Sequence, residues 1–132
     1  MVDVGAPARA RILVVDDSSL VRLYYRSTLE KAGFEVEQAI NGIEAMERAL
    51  SQPFDLVIVD VNMPRMDGFS FLRALRCGAG EMATLPALMI STEAETRDVA
   101  AARAAGANFY LVKPVAEAEL VRYVCALTGA AS

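Results

Sequence analysis

Residues 56–68 read LVIVDVNMPRMDG. Four apolar residues in unbroken succession, Leu56 to Val59, run into Asp60 and a loop that reaches Gly68. A strand exposed on one face alternates apolar and polar side chains, so a continuous run signals a strand covered on both faces. The same signature recurs at Ile12 to Val15 in RILVVDD (11–17), at Ala87 to Ile90 in LPALMIST (85–92) and, with interruption, at Phe109 to Val112, which leads into YLVKP (110–114). A weaker strand from Phe34 to Ala39, in which Phe34 and Val36 alternate with Glu35 and Glu37, fits a sheet edge.

Between these runs lie segments with helical spacing. The apolar stripes are expected at Val21, Tyr24, Thr28 and Ala32; at Ile43, Met46 and Leu50; at Phe71, Leu72 and Leu75; at Val99, Ala102 and Ala105; and at Leu120, Val124 and Leu127. Gly33 and Gly106 are placed to close helices, Asn41-Gly42 and Gly68 to open them, and Pro114 to stop the last strand. Five strand–helix pairs with short loops and right-handed crossovers imply an α/β fold: an open, doubly wound, five-stranded parallel sheet of order 2-1-3-4-5, flavodoxin-like, with helices on both faces. A closed barrel needs eight such units, more than 132 residues supply. Residues 1–10 and 129–132 are expected to be tails flanking one domain at 11–128.

Composition narrows the chemistry. With 55% hydrophobic and 23% charged residues the chain is suited to one globular domain, which at this length buries ~65–70% of its unfolded surface. Thirteen basic against seventeen acidic residues, net −4, with no basic run, argue against a nucleic-acid partner. Histidine is absent, which excludes Ser-His-Asp and Cys-His mechanisms and a histidine zinc site. Cys77 and Cys125 fit no metal-ligand spacing and suit reduced thiols. No stretch is long enough for a membrane span and no signal peptide is evident, so a cytoplasmic protein without membrane insertion is expected.

In an open parallel sheet, ligands bind at the carboxyl ends of the strands, near the point where strand order reverses. The first strand ends in Asp16-Asp17 and the third in Asp60; in a 2-1-3-4-5 order these strands are neighbours. Like charges about 4 Å apart cost on the order of 4 kcal/mol per pair at an effective dielectric near 20, so a compensating cation is required. Hard oxygen donors select Mg²⁺, with Mn²⁺ as the substitute. The fourth strand ends in Ser91-Thr92 and the fifth in Lys113-Pro114, so a hydroxyl and an ammonium join the same rim, a set suited to holding a phosphoryl group. Taken singly, Asp17 before Ser18-Ser19 is equally a helix cap, the serine a cap and the lysine a solvated charge.

The motifs RILVVDD, LVIVDVNMPRMDG, LPALMIST and YLVKP, in this order and each at a strand end, resemble the receiver domain of bacterial two-component response regulators, in particular the single-domain CheY-like chemotaxis type, over about residues 11–128. The resemblance implies that Asp60 accepts a phosphoryl group from a phosphohistidine of a sensor histidine kinase or histidine phosphotransfer protein, and that the chain is not an enzyme but a signalling phosphoacceptor that catalyses its own phosphorylation and dephosphorylation. It further implies that Asp17, Asp60 and the Asn62 backbone carbonyl ligate the metal while Asp16 acts through water. Lys113 and Ser91 would contact phosphoryl oxygens, and the Lys113–Pro114 bond would be cis.

Tyr110, read alone, is a half-buried strand aromatic with its hydroxyl in water; the resemblance makes it a switch that follows Ser91 inward. The readout surface would be helix four, strand five and helix five, with Phe109 and Tyr123 beside Tyr110, for a downstream protein such as a motor switch component. Thr92 is expected to narrow access to Asp60, Val115 stands where a Phe often follows Lys-Pro, and Asn62 and Glu93 occupy positions that tune dephosphorylation. Leu20 and Leu23 are expected to face outward and to dock the kinase's phosphohistidine domain, although single exposed leucines are common. The chain is expected to be a monomer without an attached output domain. The alternatives are a phosphorelay shuttle or phosphate sink, and an aspartate-nucleophile phosphatase, which lacks here the second acid because that position is Asn62.

Overall fold

The computed structural model describes residues 9–63, 66–93 and 95–130. The elements alternate along the chain: β1 (Arg11–Val15), α1 (Ser19–Lys31), β2 (Glu35–Ala39), α2 (Gly42–Ser51), β3 (Leu56–Asp60), α3 (Gly68–Arg76), β4 (Ala87–Ser91), α4 (Thr96–Ala105), β5 (Phe109–Val112) and α5 (Glu117–Thr128). All strand pairs are parallel and the order is β2-β1-β3-β4-β5. The register sets Val15 beside Val59 and Asp60 beside Ile90, so the carboxyl ends of β1, β3 and β4 form one rim.

Two hydrophobic layers explain the unbroken apolar runs. Leu13, Val15, Val57, Val59 and Met89 point to one face and pack with Phe71, Leu72 and Leu75 of α3 and Ala102 and Ala105 of α4. Ile12, Val14, Ile58, Leu88 and Ile90 point to the other and pack with Tyr25 and Leu29 of α1 and Leu120 and Val124 of α5. Every residue of β3 and β4 is buried. Each large aliphatic or aromatic side chain so covered contributes about 1.5–3 kcal/mol of transfer free energy.

The helix starts carry their own chemistry. Ser18, Asn41 and Asp67 accept from the amides of Val21, Glu44 and Ser70 at 3.3, 2.9 and 2.8 Å, satisfying donors that the first helical turn leaves free. Gly106 closes α4 in the left-handed region, φ 106°, as a glycine at that position allows.

Two of the expected helix faces differ. On α1 the buried residues are Tyr25, Thr28 and Leu29, while Tyr24 is 38% exposed and Ala32 lies on the surface. Adjacent tyrosines leave the phase of the stripe ambiguous by one residue, and the face that reaches the sheet carries Tyr25. On α2 the buried residues are Gly42 and Ala45, whereas Ile43 and Leu50 are exposed. Close approach explains the first of these: a Cβ on Gly42 would meet the Met66 side chain and carbonyl at 2.7 Å, while Met46, as expected, packs against the core. A short 3-10 helix, Gly80–Thr84, precedes β4 without an apolar signal to announce it. No helix among the described residues is long and apolar enough to cross a membrane.

Candidate phosphoacceptor site

The rim gathers the acids. Asp16, Asp17 and Asp60 each present a carboxylate oxygen within 4.8 Å of the others. Asp16 and Asp60 are buried, and Asp17 is exposed at the mouth. Asp16 is held from two sides: its Oδ1 accepts from the Ser18 amide at 2.9 Å, and its Oδ2 from Lys113 Nζ at 3.3 Å. Lys113 Nζ also pairs with Asp60 Oδ1 at 3.2 Å, so one ammonium bridges the acids of β1 and β3. The Lys113–Pro114 peptide is cis, as the motif implied.

The electrostatics follow from this crowding. Burial and the nearby Asp16 carboxylate push the Asp60 carboxyl above its ordinary value, against the downward pull of Lys113. Burial works against the charge on Lys113, but the flanking Asp16 and Asp60 outweigh it and raise its value. Tyr25, four residues from Leu29 on the inner face of α1, has its phenol pushed well up by burial and by the facing charges of Asp16 and Asp60. The sequence reading had missed Tyr25, and its spacing of four from both Val21 and Leu29 is the signal that marks it.

Fitness for a hard cation is testable on these residues. Three carboxylates with converging oxygens, no thiol, and a single lysine against three negative charges make a donor set suited to Mg²⁺ or Mn²⁺. Asn62 lies exposed just past the rim, in the loop that begins at Val61 and is closed by the Gly68 amide donating to the Val61 carbonyl at 3.0 Å. Gly68 has to be glycine, because an added Cβ would collide with the Asp60 carbonyl.

Ser91, fully buried at the end of β4, accepts through its Oγ from the Glu93 amide at 3.0 Å. The Tyr110 hydroxyl donates to the Glu93 carbonyl at 2.7 Å, so it is engaged by backbone rather than by water alone. The peptide groups of Glu93 thereby connect Ser91 to Tyr110. Phe109 and Tyr123 meet edge to face with centroids 5.3 Å apart, and Phe109 is 46% exposed.

Leu20 and Leu23 are 77% and 60% exposed, as expected of outward residues. Leu20, Val21, Tyr24 and Tyr25 of α1 face Thr92, Lys113, Pro114 and Val115 across an open, mostly apolar groove of about 560 Å³ beside the acids; Leu23 is not among its lining residues. Val115 is buried in the layer shared with α5, so a valine fills the position without a gap that exposes it.

The acid cluster and the lysine thus lie at the carboxyl rim of β1, β3 and β5, where an open doubly wound parallel sheet binds its ligands. The profile of the response regulator receiver domain matches residues 12–125, and the chain belongs to that family. The solved chemotaxis protein CheY4 of Vibrio cholerae is 39% identical, with a TM-score of 0.87 over 91% of this chain and 99% of that one. The receiver domain of a signal transduction histidine kinase from Syntrophus aciditrophicus is 32% identical, with a TM-score of 0.83 over 91% of this chain and 90% of that one. Among curated proteins, the transcriptional regulatory protein PrrA of Mycobacterium leprae is 42% identical over 117 residues, 89% of this chain and 49% of that protein. The chain thus spans about half the length of the curated relatives it matches.

Proposed function

We propose that Asp60 accepts a phosphoryl group from a phosphohistidine of a sensor kinase or histidine phosphotransfer protein, and that the modified chain changes how it binds a partner protein. The observation that carries this reading is the placement of the Asp60 carboxylate at the end of β3, within reach of Asp16 and Asp17 and paired with Lys113 at 3.2 Å. An Asp60 oxygen forms a bond to phosphorus as the phosphorus–nitrogen bond of the donor breaks, and the electron pair returns to the imidazole. Asp16, Asp17, Asp60 and the Asn62 carbonyl would hold Mg²⁺, which when bound supplies neutralisation of the phosphoryl charge. Lys113, released from part of its pairing with Asp60, is placed to meet a second oxygen, and Ser91 a third.

The same placement supports a route outward. Ser91 cannot shift toward a phosphoryl oxygen without loosening its bond from the Glu93 amide, and the Glu93 carbonyl is the acceptor that holds Tyr110. The surface of α4, β5 and α5, with Phe109 and Tyr123, would then change, in keeping with a docking site for a peptide or helix. The likeness to CheY4, together with Asn62 and Glu93, favours chemotaxis-type signalling; a phosphorelay shuttle is the second reading.

Incubation with Mg²⁺ and acetyl phosphate, followed by intact mass and site mapping, tests the core of the proposal. One phosphate is expected, absent from Asp60→Asn and after chelation. Labelling that persists in Asp60→Asn refutes it. Rapid reverse transfer to a histidine phosphotransfer domain would favour the shuttle, and phosphorylation-dependent binding of a motor-switch peptide the chemotaxis role.

A further inference from the structure

The acid pocket depends on where Lys113 stands, and Lys113 is carried by a segment with few ties of its own. β5 is an edge strand of four residues, and α5 begins after Ala116 without a side-chain hydrogen bond capping its first turn. Between them, the Lys113 amide donates to the Ser91 carbonyl at 2.8 Å, and the Val115 side chain is buried. Among the described residues, and besides the bonds of the Lys113 ammonium itself, one more bond reaches this segment from across the chain: the Tyr24 hydroxyl of α1 donates to the Val115 carbonyl at 2.8 Å.

That bond closes a circuit. Ser18 caps α1 and donates its amide to Asp16; Asp16 accepts from Lys113; two residues on, Val115 accepts from Tyr24; and Tyr24 lies on the same helix that Ser18 caps. The helix between Ser18 and Tyr24 is a rigid spacer, so the loop after β5 is fixed relative to the acids of β1 through α1. Farther along α1, Thr28 donates to Glu117 at 3.1 Å and holds the start of α5 to the same helix. Tyr24 is 38% exposed, so its ring is not there to fill the core, and the hydroxyl is the part with a partner across 91 residues of sequence.

We infer that Tyr24 is a positioning residue for phosphoryl transfer, its hydroxyl latching the Lys113–Val115 segment so that the Lys113 ammonium stands over the Asp16–Asp60 pair. The inference rests on the phosphoacceptor reading of Asp60. It concerns how the lysine is aimed rather than which residues touch phosphate. A lysine that wanders from the reacting phosphoryl group forfeits part of its stabilisation of the developing charge, and small misplacements carry measurable rate costs.

The test is a double-mutant cycle with Tyr24→Phe and Lys113→Ala, read as the initial rate of Asp60 phosphorylation by acetyl phosphate in saturating Mg²⁺. Tyr24→Phe keeps the ring and removes only the hydroxyl. It is expected to slow the wild-type rate about fivefold, the equivalent of one ordinary hydrogen bond, and to have less than about a 1.5-fold effect once Lys113 is alanine. Amide hydrogen exchange of Lys113, Val115 and Ala116 should quicken in Tyr24→Phe, which shows the latch opening independently of any phosphodonor. Equal fold-losses in both backgrounds would mean that Tyr24 acts elsewhere, and an unchanged rate with unchanged exchange would mean that it holds nothing; either result overturns the inference while leaving Asp60 as phosphoacceptor. A wild-type chain that takes no phosphate at Asp60 removes the reading of the site and the latch with it.

Discussion

Neutralising Asp60 should make the metal-free protein more stable, although it removes a salt bridge. The Asp60 carboxylate is within 4.8 Å of the Asp16 and Asp17 oxygens and 3.2 Å from Lys113 Nζ. At an effective dielectric near 20, repulsion from buried Asp16 is ~3.5 kcal/mol, attraction to Lys113 is ~5 kcal/mol, and screening cuts the share of exposed Asp17 to ~1 kcal/mol. The charge terms nearly cancel, so burial of the carboxylate decides the sign, in line with its raised proton affinity.

Asp60→Asn removes that burial cost, leaves Lys113 its bond to Asp16, and should raise stability by about 1–2 kcal/mol, or about 4–8 °C in the thermal midpoint, in EDTA at neutral pH. The pH dependence has a definite sign. Because the folded chain holds the Asp60 proton more tightly than the unfolded chain, wild-type stability falls as pH rises from about 4 through the raised folded value. The variant lacks this decline, so the two proteins should converge at about pH 3.5. Adding Mg²⁺ should raise the midpoint of the wild type more than that of the variant. Thermal unfolding by circular dichroism across pH, with and without Mg²⁺, checks each point. A variant that melts at or below wild type in EDTA at neutral pH, or an advantage of the same size at both ends of the pH range, would show that the pocket is not under the stated strain.

Replacing Leu20 and Leu23 together with Ser should slow transfer from a phosphohistidine protein about tenfold while sparing labelling by acetyl phosphate, since both are exposed and Leu20 lines the groove; equal losses in the two assays would count against a docking role. Arg76→Met should cost about 2–4 kcal/mol in urea unfolding, because the guanidinium donates to the carbonyls of Ala83, Leu85 and Gly106, which lose this partner when it goes, and to Asn108 Oδ1, which keeps the Ala87 amide. Gly68→Ala should destabilise by about 1–3 kcal/mol and also weaken Mg²⁺ uptake measured by titration calorimetry, since its Cβ would displace the Asp60 carbonyl; lost stability with intact uptake would separate the loop from the site.

The parallel sheet was legible because Leu56–Val59, Ile12–Val15 and Ala87–Ile90 are apolar at every position, a pattern that does not depend on phase. Helix faces were harder. Tyr24 and Tyr25 are chemically alike, so hydrophobicity alone could not say which turns inward, and on α2 Met46 packs inward as expected while Gly42, pressed against Met66, and Ala45 are buried and Ile43 and Leu50 lie outside. At the rim, Asp16, Asp17, Asp60, Ser91 and Lys113 came from strand ends alone. What the sequence withheld was the pairing: that Lys113 bridges two acids, and that Glu93 carries the bond from Ser91 to Tyr110, depends on distances no spacing rule supplies.

The two ends of α4 are secured very unequally. Its last turn is locked by a left-handed glycine whose carbonyl the Arg76 guanidinium holds, while Glu95, at the end nearer Ser91, makes no capping hydrogen bond to the first turn and pairs instead with the exposed Arg97 at 2.8 Å. If phosphorylation displaces Ser91, the first turn of α4 is the end free to follow it, while the last turn stays tied to α3 through Arg76.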